Sequence, residues 1–295
     1  MKSFILKSSF FCLIPTLLYV CTWTFLKTKF KKNIDSHSII LLGDSQTKFI
    51  KFPEIYNRSI EGSPYFVHFE FAKEFINEIK NKEVYIALNY QNLSKLYQNR
   101  LANDSLYSGW RSSTFKTMDE YNFLNYKHPE IRPTEMDYTV FDIKKLPTLI
   151  YKLYFLKADN NSSENILKDT LSINNAIERH WLNPKYKLDD LIQKQYINKL
   201  IILLKEHGCD VILLKMPLTN YYKKNVPNEV KMELFALANK HKIHLLDLDS
   251  LLSISNDYKY FKDYGHLNKK GDSLVTDFFT KKELKAGTHN SRHVQ

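Results

Sequence analysis

Apolar and polar positions fall into blocks of two different periods along most of the chain. The run 38–43, SIILLG, is continuously apolar, the pattern of a strand covered on both faces. Residues 67–80, VHFEFAKEFINEIK, place apolar side chains at helical spacing, and EVYIALNY, 83–90, predicts a second buried strand. LDDLIQKQYINKLIILLKEHG, 188–208, reads as an amphipathic helix closed by Gly208, a favoured C-cap residue. A strand (DVILLKMP, 210–217), a helix beginning after Pro227, a strand (IHLLDLD, 243–249) and a closing helix (NKKGDSLVTDFFTKKEL, 268–284) follow. Alternation of this kind implies a mostly parallel sheet with helices on both faces.

The rhythm stops between about residues 94 and 185. LANDSLYSGWRSSTFKTMDEYNFLNYKHPEIRP is rich in aromatics and hydroxyls without a period, and KADNNSSEN at 157–165 is polar throughout. A stretch of this length is too long for an ordinary connection and is expected to be an insertion or lid on one α/β domain spanning 33–285. The tail, 286–295, is expected to be disordered. At the other end, residues 9–26 are uncharged, mostly apolar and bracketed by lysines, just long enough to cross a bilayer as a helix. Without a clean small-x-small cleavage site, an uncleaved anchor with a basic linker (1–32) is preferred over a signal peptide. Four lysines after the segment and two before it favour a cytoplasmic body, yet long domains translocate regardless of local charge.

Charge changes the picture little. The formal net charge is +11, but Lys2, Lys7, Lys27, Lys29, Lys31 and Lys32 supply six of the positive charges where no acid is present. The remainder is mildly basic and carries no zinc-finger, helix-turn-helix or RNA-binding signature, so a nucleic-acid partner is not expected. Of three cysteines, Cys12 and Cys21 lie in the apolar segment and Cys209 is alone in the body, which excludes a disulfide within it. No metal-ligand spacing occurs and no cofactor is implied.

Candidate chemistry sits where the first strand ends, in Gly43-Asp44-Ser45, and in YFKDYGHLNKKGDSL near the C-terminus. A serine nucleophile needs an imidazole to accept its proton, and the imidazole needs an orienting carboxylate. Asp263 and His266, three apart, could supply both from one turn, at the sheet edge where the loop holding Ser45 also lies. The plainer alternatives are that Ser45 merely caps a helix and that Asp263 and His266 shape a helix entry. His68 and His244, in apolar elements, suit satisfied core positions.

These blocks resemble the SGNH/GDSL hydrolase superfamily. Gly43-Asp44-Ser45 and Asp263-x-x-His266-Leu267-Asn268 are similar to its first and last blocks. Asn57, Ser59 and Gly62 in YNRSIEGSPYF resemble the second, whose glycine gives an oxyanion-hole N–H. Asn92 in ALNYQNLS resembles the third-block asparagine, with Asn89 as the other candidate. The chain departs from the family in having Tyr90 where the third block usually has glycine, and Gln46 where leucine often follows the serine.

The resemblance implies a flavodoxin-like three-layer α/β sandwich with a mostly parallel sheet, preceded here by an N-terminal transmembrane helix. It implies a serine esterase or O-acyltransferase with Ser45 as nucleophile, His266 as general base, Asp263 as orienting acid, and Gly62 and Asn92 at the oxyanion. The style of the blocks resembles that of envelope-associated members. The expected substrate is therefore an acylated carbohydrate or glycopolymer, met by a membrane-anchored body on the extracytoplasmic side. The alternative is a non-catalytic scaffold or polymer-binding module on the same fold.

Overall fold

The computed structural model describes residues 27–94, 96–97, 170–182 and 192–290, together with 17, 21, 24, 25 and 167. Five strands form its sheet: β1 (Ile39–Gly43), β2 (Ile55–Ser59), β3 (Glu83–Ala87), β4 (Asp210–Lys215) and β5 (His244–Asp247). All neighbours are parallel, in the order β2-β1-β3-β4-β5. This is the flavodoxin-like order, and the direction of chain growth reverses between β1 and β3. A crevice therefore opens at the carboxyl ends of those two strands.

Successive residues of β1 (Ile40, Leu41, Leu42) and β3 (Val84, Tyr85, Ile86) are all 1% exposed or less. Neighbouring side chains on a strand point to opposite faces, so both faces are covered and the runs are continuously apolar. The crossovers from β2 to β3, β3 to β4 and β4 to β5 all step the same way across the sheet. Right-handedness then puts α1 (Tyr65–Glu74), α2 (Ile192–Glu206) and α3 (Asn228–His241) on one face. Phe66 of α1 meets Tyr196 of α2 edge-on at 5.0 Å. The other face is left to α4 (Lys269–Asn290), whose Phe279 stands edge-on to Tyr85 at 5.5 Å.

Several expectations need correction. Strand β2 was not legible, because IYNRS is an edge strand in which only Ile55 is buried and the pattern is half polar. The helix expected over 67–80 breaks at Phe75 and resumes as the single turn Ile76–Ile79. His244 is exposed, whereas His68 is buried. The closing helix continues to Asn290, past the Ala286 from which disorder was expected.

The largest correction concerns the basic linker. Residues 27–35 are helical and packed on the body. Phe30 lies 6.2 Å from Phe71 and 6.0 Å from Phe75, and Ile34 is fully buried. The Arg58 guanidinium sits 5.3 Å from the Phe30 ring and 5.2 Å from the Phe71 ring. Lys27 and Lys31 pair with Glu74 and Glu78. Lys82 closes the helix by donating to the Ile34 and His37 carbonyls at 2.5 and 2.6 Å. The lysines that looked like a membrane-flanking cluster are thus partly used as ion pairs. Among the described residues no helix is long and apolar enough to cross a membrane, and most of segment 9–26 lies outside them. Most of the insertion over 94–185 also lies outside them.

Candidate active site

The loop after β1 is a turn built by Asp44. Its carboxylate accepts the Gln46 N–H at 2.9 Å and its carbonyl the Thr47 N–H at 3.3 Å, an Asx turn. Residues 45–49 are turns, so Ser45 caps no helix. The loop is braced from β2, where the Asn57 amide donates to the Thr47 and Ile50 carbonyls at 2.8 and 3.0 Å. The Thr47 and Ser59 hydroxyls share a bond of 2.8 Å. These contacts explain the polar residues of the edge strand: they fix the loop that presents Ser45, which is left half-buried.

The second loop is a hairpin-like turn closed by the Phe261–Leu267 bridge and by the Lys262 N–H on the His266 carbonyl at 2.8 Å. Within it, Asp263 Oδ1 accepts the Gly265 and His266 N–H groups at 3.0 and 2.9 Å. The His266 ring meets the same carboxylate through Nδ1, at 2.9 and 2.8 Å from its two oxygens. His266 Nε2 lies 2.7 Å from Ser45 Oγ, across 221 sequence positions. A carboxylate can only accept, so Nδ1 carries the proton and Nε2 is free to accept from the serine hydroxyl.

The electrostatics suit this arrangement. Burial alone would lower the His266 pKa, but the hydrogen bond to Asp263 and the charges of Asp263 and Asp44 outweigh it and hold the imidazole above its usual 6.5. Burial would likewise raise the Asp263 pKa, and the bonds from His266 and the turn's backbone N–H groups hold it below 3.8.

The oxyanion candidates are placed differently. The Ser45 N–H makes no hydrogen bond among the described residues. Gly62, at φ +65°, forms the turn after β2, where the Ile60 N–H donates to the Gly43 carbonyl at 2.9 Å. The Asn92 amide donates to Asp44 Oδ2 at 2.8 Å, which takes one of its two hydrogens and sets it beside the turn of Ser45. Both hydrogens of the Asn89 amide are taken, by Gln46 Oε1 at 3.1 Å and the Met216 carbonyl at 2.9 Å. Among the described residues, then, the Asn92 amide makes one hydrogen bond and the Asn89 amide two.

A cleft of about 330 Å³ opens above Ser45 and His266, at the small end of ligand-site volumes. Phe49, Glu61 and Lys262 line its rim. Glu61 is paired with Lys48 at 2.8 Å, and that hydrogen bond holds its pKa below the usual 4.5. No group of His, Cys, Asp or Glu that could hold a metal occurs among the described residues.

Two features outside the cleft also hold charge or polarity in the core, and of them only the burial of His68 was expected from the sequence. Lys215, ending β4, is buried with Asp247 at 2.9 and 3.0 Å and Asp249 at 3.3 Å, while Lys223 also holds Asp249. His68 shares a bond of 2.9 Å with Ser63, and burial, with the Arg58 charge, drives its pKa down to about 3, so it stays neutral. Lys215 looked like an ordinary strand-end residue, because its carboxylate partners lie on the next element.

What the fold and site define is an α/β protein with a Ser–His–Asp hydrogen-bond relay at the carboxyl edge of its sheet. No family model matches the chain, and no curated protein matches it. Among solved structures it is similar to a GDSL-like lipase from Bacteroides thetaiotaomicron, with 13% identity and a TM-score of 0.40 over 85% of this chain and 89% of that one. It is similar to a lipase/acylhydrolase from Enterococcus faecalis with 12% identity and a TM-score of 0.35, over 83% and 94%. A Bacillus subtilis protein matches at 13% identity and a TM-score of 0.37, over 85% of this chain and 57% of its own. At these scores the likeness decides neither fold nor activity; the strand order and the distances at Ser45 do more.

Proposed function

We propose that the protein is an SGNH-type serine hydrolase, cleaving or transferring acyl esters through an acyl-enzyme on Ser45. The observation that carries this reading is the 2.7 Å contact of Ser45 Oγ with His266 Nε2, with Nδ1 of the same ring held by Asp263. As Ser45 Oγ attacks the ester carbonyl, its proton passes to Nε2, and Asp263 stabilises the imidazolium. The tetrahedral oxyanion is met by the Ser45 N–H and the remaining N–H of Asn92, and by the Gly62 peptide, carried over from the family's second block. Such donors are typically worth about 3–4 kcal/mol each. His266 then returns the proton to the leaving alcohol, and water or a second hydroxyl releases the acyl group.

For the substrate we favour acyl esters of an envelope carbohydrate or glycopolymer, with the N-terminal segment as membrane anchor and the body extracytoplasmic. Support comes from the style of the motif blocks, the apolar run 9–26 and the long aromatic insertion. The deciding experiment is labelling with a fluorophosphonate probe. Modification of Ser45 that disappears in Ser45→Ala and in His266→Ala supports the enzyme. A folded wild-type protein that never labels would favour a non-catalytic carbohydrate-binding module. Transfer is separated from hydrolysis by adding an envelope oligosaccharide to an acyl-donor assay and measuring acylated sugar against free acid by mass spectrometry.

A further inference from the structure

The residue after the nucleophile is tied to the residue before the histidine. Gln46 is 4% exposed, and its Nε2 donates to the Gly265 carbonyl at 2.9 Å, across 219 sequence positions. The orientation of this amide follows from its partners. Asn89 Oδ1 accepts the Tyr90 N–H at 3.1 Å, so Asn89 presents its NH2 group to Gln46 and to the Met216 carbonyl. Gln46 must then offer its oxygen to Asn89, which leaves its nitrogen to face Gly265. One continuous chain of hydrogen bonds runs from β4's end, through Asn89 in the loop after β3 and the nucleophile's turn, to the histidine's turn.

The carbonyls of the histidine turn are held one by one. That of Tyr264 accepts the Thr219 N–H at 2.9 Å and its hydroxyl at 3.0 Å, and that of His266 accepts the Lys262 N–H at 2.8 Å. Among the described residues, only the Gly265 carbonyl is held from the loop that carries Ser45. The approach is close enough to require glycine there, since a Cβ on residue 265 would lie 2.4 Å from Gln46 Nε2 and 2.6 Å from Leu218 Cδ2. A leucine at position 46 would fill the space but leave the Gly265 carbonyl and one Asn89 N–H buried without partners.

We propose that Gln46 is a positioning residue, setting the distance between Ser45 Oγ and His266 Nε2 by clamping their two loops together. This rests on the serine-hydrolase reading above. The clamp acts on a geometry that proton transfer needs closely set, and among the described residues the side-chain hydrogen bonds between the two loops are this one and the Ser45–His266 bond itself. Its loss loosens that contact without touching the Asp263–His266 pair, which lies within one turn.

The test compares wild type, Ser45→Ala and Gln46→Met on an aryl acetate, at a temperature where each is folded by circular dichroism. Gln46→Met should lower kcat about 10- to 100-fold with KM little changed. The low-field proton resonance of the His266 Nδ1–H should persist in that variant. Gln46→Asn, whose amide is one methylene too short to reach, should behave alike and replaces Gln46→Met if the latter does not fold. Wild-type kcat in a folded Gln46 variant, a rise in KM alone, or failure of both variants to fold would overturn the positioning role. If instead Ser45→Ala retained wild-type turnover, the reading of the site as a serine hydrolase would fall.

Discussion

Replacing Asp263 by asparagine separates geometry from charge at this site. Asp263 Oδ1 accepts three of the contacts described, from the Gly265 N–H, the His266 N–H and the ring Nδ1, while Oδ2 accepts from Nδ1 alone. In Asp263→Asn the amide oxygen keeps the two backbone donors, so the NH2 group faces the imidazole. A donor opposite a donor drives the proton from Nδ1 to Nε2, and an Nε2–H cannot accept from Ser45. By analogy with other Ser-His-Asp sites, kcat should fall about 10⁴-fold, or about 5.5 kcal/mol, with the fold intact. The charge effect appears in the pH profile. In the wild type kcat/KM rises with pH as His266 loses its proton, with a midpoint above 6.5 because the pair with Asp263 and the Asp44 charge outweigh burial. In Asp263→Asn burial is less opposed, and the midpoint of the residual activity should move down. The assay is kcat/KM for p-nitrophenyl acetate between pH 5 and 9, corrected for spontaneous hydrolysis. A wild-type midpoint at or below 6.5, or a variant within tenfold of wild type, would refute the argument.

Other outcomes follow from the same contacts. The raised His266 pKa contributes stability that is fully present below the unfolded value of 6.5 and lost as pH rises through the folded value, while the lowered Asp263 pKa contributes stability present above 3.8 and lost on acidification. The urea midpoint of the wild type should therefore decline above pH 6.5 more than that of Asp263→Asn. Ile34→Ala should cost about 2–4 kcal/mol in urea unfolding, because Ile34 is the wholly buried residue by which the helix over 27–35 packs on the body; an unchanged midpoint would mean that helix does not pack there. A chain begun at Asn33 loses Phe30 from the Phe71–Phe75 cluster and should be less stable than one begun at Lys27, as thermal melting of the two would show. Lys215→Met leaves Asp247 and buried Asp249 without their shared cation and should destabilise by about 3 kcal/mol, an effect absent if Lys223 alone suffices.

The strands covered on both faces are legible in the pattern of residues alone. Ile39–Gly43, Glu83–Ala87 and Asp210–Lys215 are apolar runs between helical periods, and burial on two sides leaves that mark on composition. The positions of Ser45 at a strand end and of Asp263 three before His266 are legible there too, because a turn that bonds its own backbone is local. What depended on partners far away in the chain left no such mark. The half-polar edge strand Ile55–Ser59 makes sense only once its asparagine and serine are seen holding the loop of Ser45. Lysines 27 and 31 read as membrane-flanking charge until Glu74 and Glu78 are brought beside them. Gln46 looked like an incidental departure from a leucine, and Asn92 was preferred over Asn89 only through the resemblance of its block, with no sign of what either amide bonds. Hydrogen bonds are directional and short, so which amide is saturated and which keeps a free N–H is settled only by the three-dimensional neighbours that tertiary structure supplies.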